Sequence, residues 1–170
     1  DRTVFKGERW STTRGYLDPV RDRENLTIIT KALVCKLNLE NNKATGVCFK
    51  DNKNKIFNVK SNKEVILCAG AVGSPHILML SGIGPKDHLE SMGINLVVDM
   101  PGVGQNLQDH PDFMIKYKCL KPVTLWPKTK RLNSIGAGIQ WLLTKEGMCA
   151  SNHFDSVACI RSGPGVEYPD

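Results

Sequence analysis

Between residues 26 and 60, short apolar runs alternate with polar turns. LTIITKALVCKLNL (26–39) is rich in β-branched and aliphatic residues. Asn41-Asn42-Lys43 breaks it, ATGVCF (44–49) resumes it, and DNKNK (51–55) breaks it again before a short run at 56–60. This pattern of strands and tight turns predicts a small antiparallel meander. EVILCAG (64–70) differs in being almost continuously apolar. Such a run suits a strand buried on both faces, as in a parallel sheet covered by helices. Helix punctuation follows at once: Ser74 suits an N-cap, Pro75 the first helical position and Gly82 the C-terminal cap. A second helix is predicted over 86–92, closed by Gly93, then a strand over INLVV (94–98). PGVGQNLQDHP (101–111) has no period and reads as a loop. FMIKYKC (113–119) alternates and predicts an amphipathic strand. Ile135, Ile139 and Leu142 recur at helical spacing within 133–145, and FDSVACI (154–160) is a last apolar stretch. The order of elements predicts a mixed α/β chain with α+β character.

Composition narrows the function. The 170 residues, 41% hydrophobic, suffice for a real core. No apolar run approaches the ~20 residues that span a bilayer, so no transmembrane segment is expected. The net charge is +6, but the basic residues are scattered except for KDNKNKIFNVKSNK (50–63). That cluster reads as a solvated hairpin, and without interleaved aromatics it does not point to nucleic acid. Cys35, Cys48, Cys68, Cys119, Cys149 and Cys159 form no CxxC pair, so no metal site is expected. The first four lie in apolar, strand-like runs, which predicts free buried thiols and a reducing compartment. The six cysteines and the Lys- and Asn-rich turns read as those of a eukaryotic chain.

The candidate chemistry lies in GAVGSPHILMLSGIG (70–84). Small residues at Ala69-Gly70-Ala71 let a ligand approach the backbone at a strand's C-terminal end, where open α/β sheets bind ligands. The free N–H groups and positive dipole end of the following helix suit a pyrophosphate. A purely structural turn packed through small residues accounts for the same stretch. Asp109-His110 reads as a loop brace rather than a catalytic pair. His76, His88 and His153 have no metal-ligand spacing. Trp126, Trp141 and Tyr117 are candidates for an aromatic cage, with Trp141 better suited to a helix core.

GAVGSPHILMLSGIG resembles the second signature of the glucose-methanol-choline (GMC) flavin oxidoreductases, through Gly70-Ala71, Ser74-Pro75, Ile77-Leu78 and Ser81-Gly82-Ile83-Gly84. RWSTTRGYLDP (9–19), NLTIITKALV (25–34), EVILCAG and PGVGQNLQDHP resemble the same family in the same order. KPVTLWP (121–127), GIQWLLTKEGMCASNHF (138–154) and IRSGPGVEYPD (160–170) are most similar to its choline-oxidising members. The resemblance implies part of an FAD-binding, Rossmann-like domain joined to part of an antiparallel-sheet substrate domain. Residues 1–24 would form the substrate-domain entry, 25–111 the middle of the FAD domain and 112–170 the first part of the substrate domain.

The resemblance also implies roles. Val34 matches a position whose backbone contacts the adenine of FAD. Ala69 and Gly70 match strand-end positions along the adenosine and diphosphate, with Ser74 at the head of the helix beside them. Asp112 stands where choline-oxidising members carry a Glu facing the trimethylammonium group. That group donates no N–H hydrogen bond and is held only by charge and aromatic faces. Asp is one methylene shorter, which puts choline itself in question. The implied reaction is oxidation of a small alcohol such as choline, with hydride passing to FAD and electrons then to an acceptor such as quinone. The family's GxGxxG motif and catalytic His are not in these residues, so the chain is expected to be an internal, inactive segment of a longer enzyme with no catalytic residue of its own. With the eukaryotic lean of the composition, the resemblance also implies the mitochondrion, inner-membrane associated or matrix, and otherwise the cytoplasm. A sugar or other alcohol dehydrogenase, and a non-catalytic GMC-derived binding module, remain the alternatives.

Overall fold

The computed structural model describes residues 3–121, 123–152 and 160–168. The chain divides into two units, Ile28–Phe113 and the pair Asp1–Thr27 with Met114–Asp170.

The 28–113 unit begins with the meander. β1 and β2 belong to the other unit (Val4–Phe5 and Glu8–Arg9); here β3 (Leu33–Glu40), β4 (Lys43–Lys50) and β5 (Ile56–Lys60) pair antiparallel in the order β3-β4-β5. Asn41 and Asn42 both have positive φ, 49° and 60°. This is the two-residue turn whose twist matches paired strands, and Asn tolerates it better than other side chains. Asp51 holds the second turn, its Oδ1 accepting the N–H groups of Lys53 and Lys55 at 2.8 and 2.9 Å. Phe49 stacks on Phe57 across β4 and β5 at 5.3 Å between centroids.

The apolar run at 64–69 is not a strand. It is irregular chain without a ladder partner among the described residues, and Ile66 is 75% exposed. An apolar run states that a segment is suited to burial, but a strand exists only where another strand accepts its hydrogen bonds.

α1 spans Gly70–Leu80 and so begins four residues before Ser74, the predicted cap. The chain turns at Gly70 with φ +84°, a conformation other side chains rarely adopt. Ser74 then lies in the second turn, and its Oγ accepts the N–H of Ala69 at 3.0 Å. Pro75 sits inside the helix, leaving the carbonyl of Ala71 without its usual N–H donor. The predicted stop is observed: Gly82, with φ +83°, ends α1. A Cβ there would stand 2.5 Å from the carbonyl oxygen of Asn95.

β6 (Ile83–Gly84) and β7 (Val98–Asp99) form a short parallel pair around α2 (Lys86–Ser91), which ends before Gly93. The Asp99 carboxylate accepts the Lys86 N–H at 3.2 Å, at the start of α2. Leu89 of α2 is fully buried, and Leu37, Cys48, Phe49 and Val103 complete the buried apolar side chains of this unit. The strand expected at 94–98 is reduced to Val98–Asp99. Residues 101–111 are a loop, as expected.

In the other unit, β1 and β2 form a hairpin turned by Lys6 and Gly7, both with positive φ. α3 (Trp126–Thr129) is a single turn and α4 spans Arg131–Thr144. The segment 113–119, expected as an amphipathic strand, has no ladder partner among the described residues. Phe113, Met114, Ile115 and Tyr117 are all exposed. No sheet is formed over 112–121, 123–152 or 160–168. FDSVACI lies outside the described residues save for Ile160. Cys35 is half-buried and Cys48 buried, but Cys68 and Cys119 are exposed, because the runs that carry them have no strand to cover them. Cys159 lies outside the described residues.

The hairpin is held to the end of α4 by polar contacts. Trp141 Nε1–H donates to the Gly7 carbonyl at 2.6 Å. Lys145 Nζ reaches Glu8 Oε1 at 2.9 Å and lies 4.0 Å from the Trp141 ring centroid, while Arg14 reaches Glu8 Oε2 at 2.7 Å. The hydrogen bond and charge of Lys145, with Arg14 behind them, hold the Glu8 carboxyl below its ordinary value of 4.5. A carboxyl lowered by folding contributes stability above its unfolded value, and this is lost as pH falls through the folded one. An acid titration followed by tryptophan fluorescence should therefore show a step below pH 4.5. That step should be missing in Glu8→Gln; an identical acid limb in both proteins would refute the assignment.

Candidate functional site

Two clefts flank α1. The first, of about 610 Å³, is bounded by Leu33, Val34 and Cys35 of β3, Lys50 of β4, Ala69, and Gly73, His76, Ile77 and Leu80 of α1. The sheet wall follows from the meander: the register shift between Val34 and Lys36 leaves Cys35 unmatched at the cleft. The helix wall follows from spacing, because residues 73, 76, 77 and 80 share one helical face. The second cleft, of about 650 Å³, lies against another face of α1. It is lined by Ala71, Val72, Pro75, His76 and Met79 and by the loop Gly104–Gln108. His76 borders both.

Val34, on the first strand of the meander, and Ala69, at the head of α1, are thus brought into one cleft. Gly70 adjoins Ala69, and a Cβ added there would meet nothing within 4 Å. Its glycine therefore answers to backbone shape rather than to crowding. Ser74 steadies this turn through the Ala69 amide. Asp112 is not brought in: it is exposed and lines neither cleft. The Asp109 carboxylate accepts the N–H of His110 at 2.8 Å, a local brace. Tyr117 and Trp126 are exposed, and Trp141 is half-buried against the 4–9 hairpin, so these rings form no cage. His153 lies outside the described residues. Among the described residues no helix is long and apolar enough to cross a membrane.

Cys35, Lys50, Gly73, His76, Ile77 and Leu80 were not singled out as cleft residues by sequence reasoning. The signal for the last four was their helical spacing; starting the helix at Ser74 hid Gly73, and nothing in the spacing of the other three marked which face meets the sheet. Nothing local marks Lys50, which reaches the cleft through its pairing opposite Leu33.

A family model described as GMC oxidoreductase matches residues 3–112. The chain belongs to the GMC oxidoreductase family. The mixture of helices and strands is that of its structural relatives. One is an FAD-dependent oxidoreductase from Chaetomium thermophilum, similar with a TM-score of 0.73 and 33% identity over 86% of this GMC chain and 26% of that one. Among curated proteins, an oxygen-dependent choline dehydrogenase of Ectopseudomonas mendocina (strain ymp) is 46% identical, and one of Staphylococcus xylosus 44% identical. Both alignments cover all of this chain and 30% of the relative, so the chain spans under a third of the length of these relatives.

Proposed function

We propose that the 28–113 unit forms part of the FAD site of an alcohol-oxidising GMC enzyme, and that its substrate is choline. The observation that carries the cofactor reading is the convergence of Val34 and Ala69 on the first cleft. The cleft fits a nucleoside. Its lining is mainly apolar, as a purine face requires, and its sheet wall offers backbone groups at a bulge. The first-turn amides of α1, an eleven-residue helix opening at Gly70, have no intrahelical acceptors and face anions favourably. FAD, when bound, supplies a hydride acceptor for the alcohol carbon. The chain's own part would be to bind and orient: β3 and α1 would hold the nucleoside, and Ser74 fixes the Ala69–Gly70 turn beside which the diphosphate would lie.

The choline assignment rests on the names of the bacterial relatives at 44–46% identity. Those names attach oxygen dependence to the relatives, so oxygen stands beside quinone as the electron acceptor to be tested. A mitochondrial location rests on the resemblance and on composition, and both relatives described above are bacterial. The decisive experiment mixes the full-length protein anaerobically with choline, glucose or a simple aliphatic alcohol and follows the flavin absorbance. Bleaching by choline alone is the expected result, with reoxidation by oxygen or by quinone identifying the acceptor. Bleaching by another alcohol retains the family and discards choline. A full-length protein without flavin points instead to a non-catalytic binding module.

A further inference from the structure

β3 is an edge strand, pairing only with β4 among the described residues. Alternate amides of such a strand face away from the ladder and need other acceptors. The amide of Leu37 is one of these, and Leu37 is buried. Its acceptor is Ser81 Oγ, at 2.8 Å across 44 residues of chain. The same hydroxyl donates to the Ile77 carbonyl at 2.6 Å. Ser81 is the buried polar residue of the described chain, 8% exposed. Ile77 lines the helix wall of the first cleft, and Leu37 follows the Cys35 bulge of the sheet wall by two residues. A single buried hydroxyl therefore ties the two walls together just past the cleft's end, where α1 stops at Gly82.

We propose that Ser81 is a positioning residue for the adenosine end of the cofactor, setting the separation between the Val34–Cys35 bulge and the Gly73–Leu80 face of α1. This rests on the reading of the cleft as part of the FAD site. Both effects of the hydroxyl act on the same gap. Without it the Leu37 amide is left buried and unpaired, and β3 is free to shift until water or another group reaches that amide. The cleft would change width, while the nucleoside's contacts depend on that width to tenths of an ångström.

The test uses the full-length apoprotein, with FAD, ADP and FMN as separate probes, at a temperature where every variant is folded. Ser81→Ala is expected to weaken FAD and ADP about tenfold and to leave FMN unchanged, because only the adenosine end meets the altered cleft. Ser81→Thr, which keeps the hydroxyl, is expected to restore both affinities to within about twofold of wild type. Leu89→Ala removes a fully buried side chain of α2 that lines neither cleft. It is expected to lower Tm at least as much as Ser81→Ala, with all three affinities intact. Ser81→Ala with wild-type affinity for ADP would overturn the inference, as would an equal loss of ADP affinity in Leu89→Ala. If Ser81→Ala does not fold, Ser81→Cys replaces it: its weaker hydrogen bonding should loosen ADP, and unchanged ADP binding would overturn the inference. A wild-type protein that binds none of the three probes overturns the cofactor reading itself, which separates that failure from failure of the clamp.

Discussion

The Gly46→Val substitution is expected to destabilise the 28–113 unit by about 3 kcal/mol. Gly46 is buried in the middle of β4, opposite Asn38 on β3 and Lys60 on β5. A Cβ at this position would collide with the Val59 carbonyl oxygen and stand 3.0 Å from the Val59 carbonyl carbon and 3.1 Å from Lys60 Cα. All three atoms are backbone, so no flexible side chain can give way. Relief requires β5 to leave β4, which would break the ladder and the Phe49–Phe57 stack. Overpacking alone costs about 1–3 kcal/mol, and each ladder hydrogen bond lost adds ~1 kcal/mol. The total is a large share of the ~5–15 kcal/mol that holds a domain folded. At roughly 4–8 °C per kcal/mol for a unit of this size, a loss of about 3 kcal/mol lowers Tm by roughly 12–24 °C. Thermal unfolding followed by circular dichroism measures it, and a Tm within 2 °C or so of wild type would refute this account of the β4–β5 contact.

The second large effect concerns substrate charge. In the full-length enzyme, Asp112→Asn is expected to lower kcat/KM for choline by roughly a hundredfold. Two unit charges 4 Å apart at an effective dielectric near 20 interact by about 4 kcal/mol, and a separation of 6 Å still leaves about 3 kcal/mol. Each 1.4 kcal/mol is about tenfold. The control is the neutral carbon isostere of choline, in which a quaternary carbon replaces the nitrogen. Its kcat/KM should change less than about threefold, because shape is kept and only the charge partner is lost. Equal losses for both substrates would mean that Asp112 acts on folding or flavin binding and not on the cation. Asp112 lies in exposed loop chain and lines neither cleft around α1, so this prediction rests on the resemblance to choline-oxidising proteins and tests that resemblance directly.

Turns and helix stops were legible from local residues. Asn41-Asn42 occupy a tight hairpin with positive φ, Asp51 braces the next turn with its own carboxylate, and Gly82 ends α1. Each is a short-range preference that needs no distant partner. The start of α1 was misplaced because two local signals competed. Ser-Pro at 74–75 has the form of a cap and first turn, but Gly70 allows the chain to turn four residues earlier, and Ser74 then serves that earlier turn through the Ala69 amide. The family was also legible, because a motif with fixed spacing from 70 to 84 and flanking segments in order leave few other readings.

Pairing beyond the meander was not legible. The runs at 64–69 and 113–119 have the composition of strands and remain unpaired among the described residues. An apolar pattern reports how much a segment gains from burial but does not name the neighbour that buries it. For the same reason the sequence marked Val34 and Ala69 separately, and only folding placed them in one cleft with Cys35, Lys50 and His76. By itself the sequence determined the meander, the stop of the following helix at Gly82, and membership of the GMC oxidoreductases, since these follow from local conformational preference and residue spacing. Tertiary structure decided which side chains share the cleft and that Ser81 bridges its walls. Hydrogen bonds between residues 44 positions apart depend on where packing brings the chain, and no local pattern encodes that.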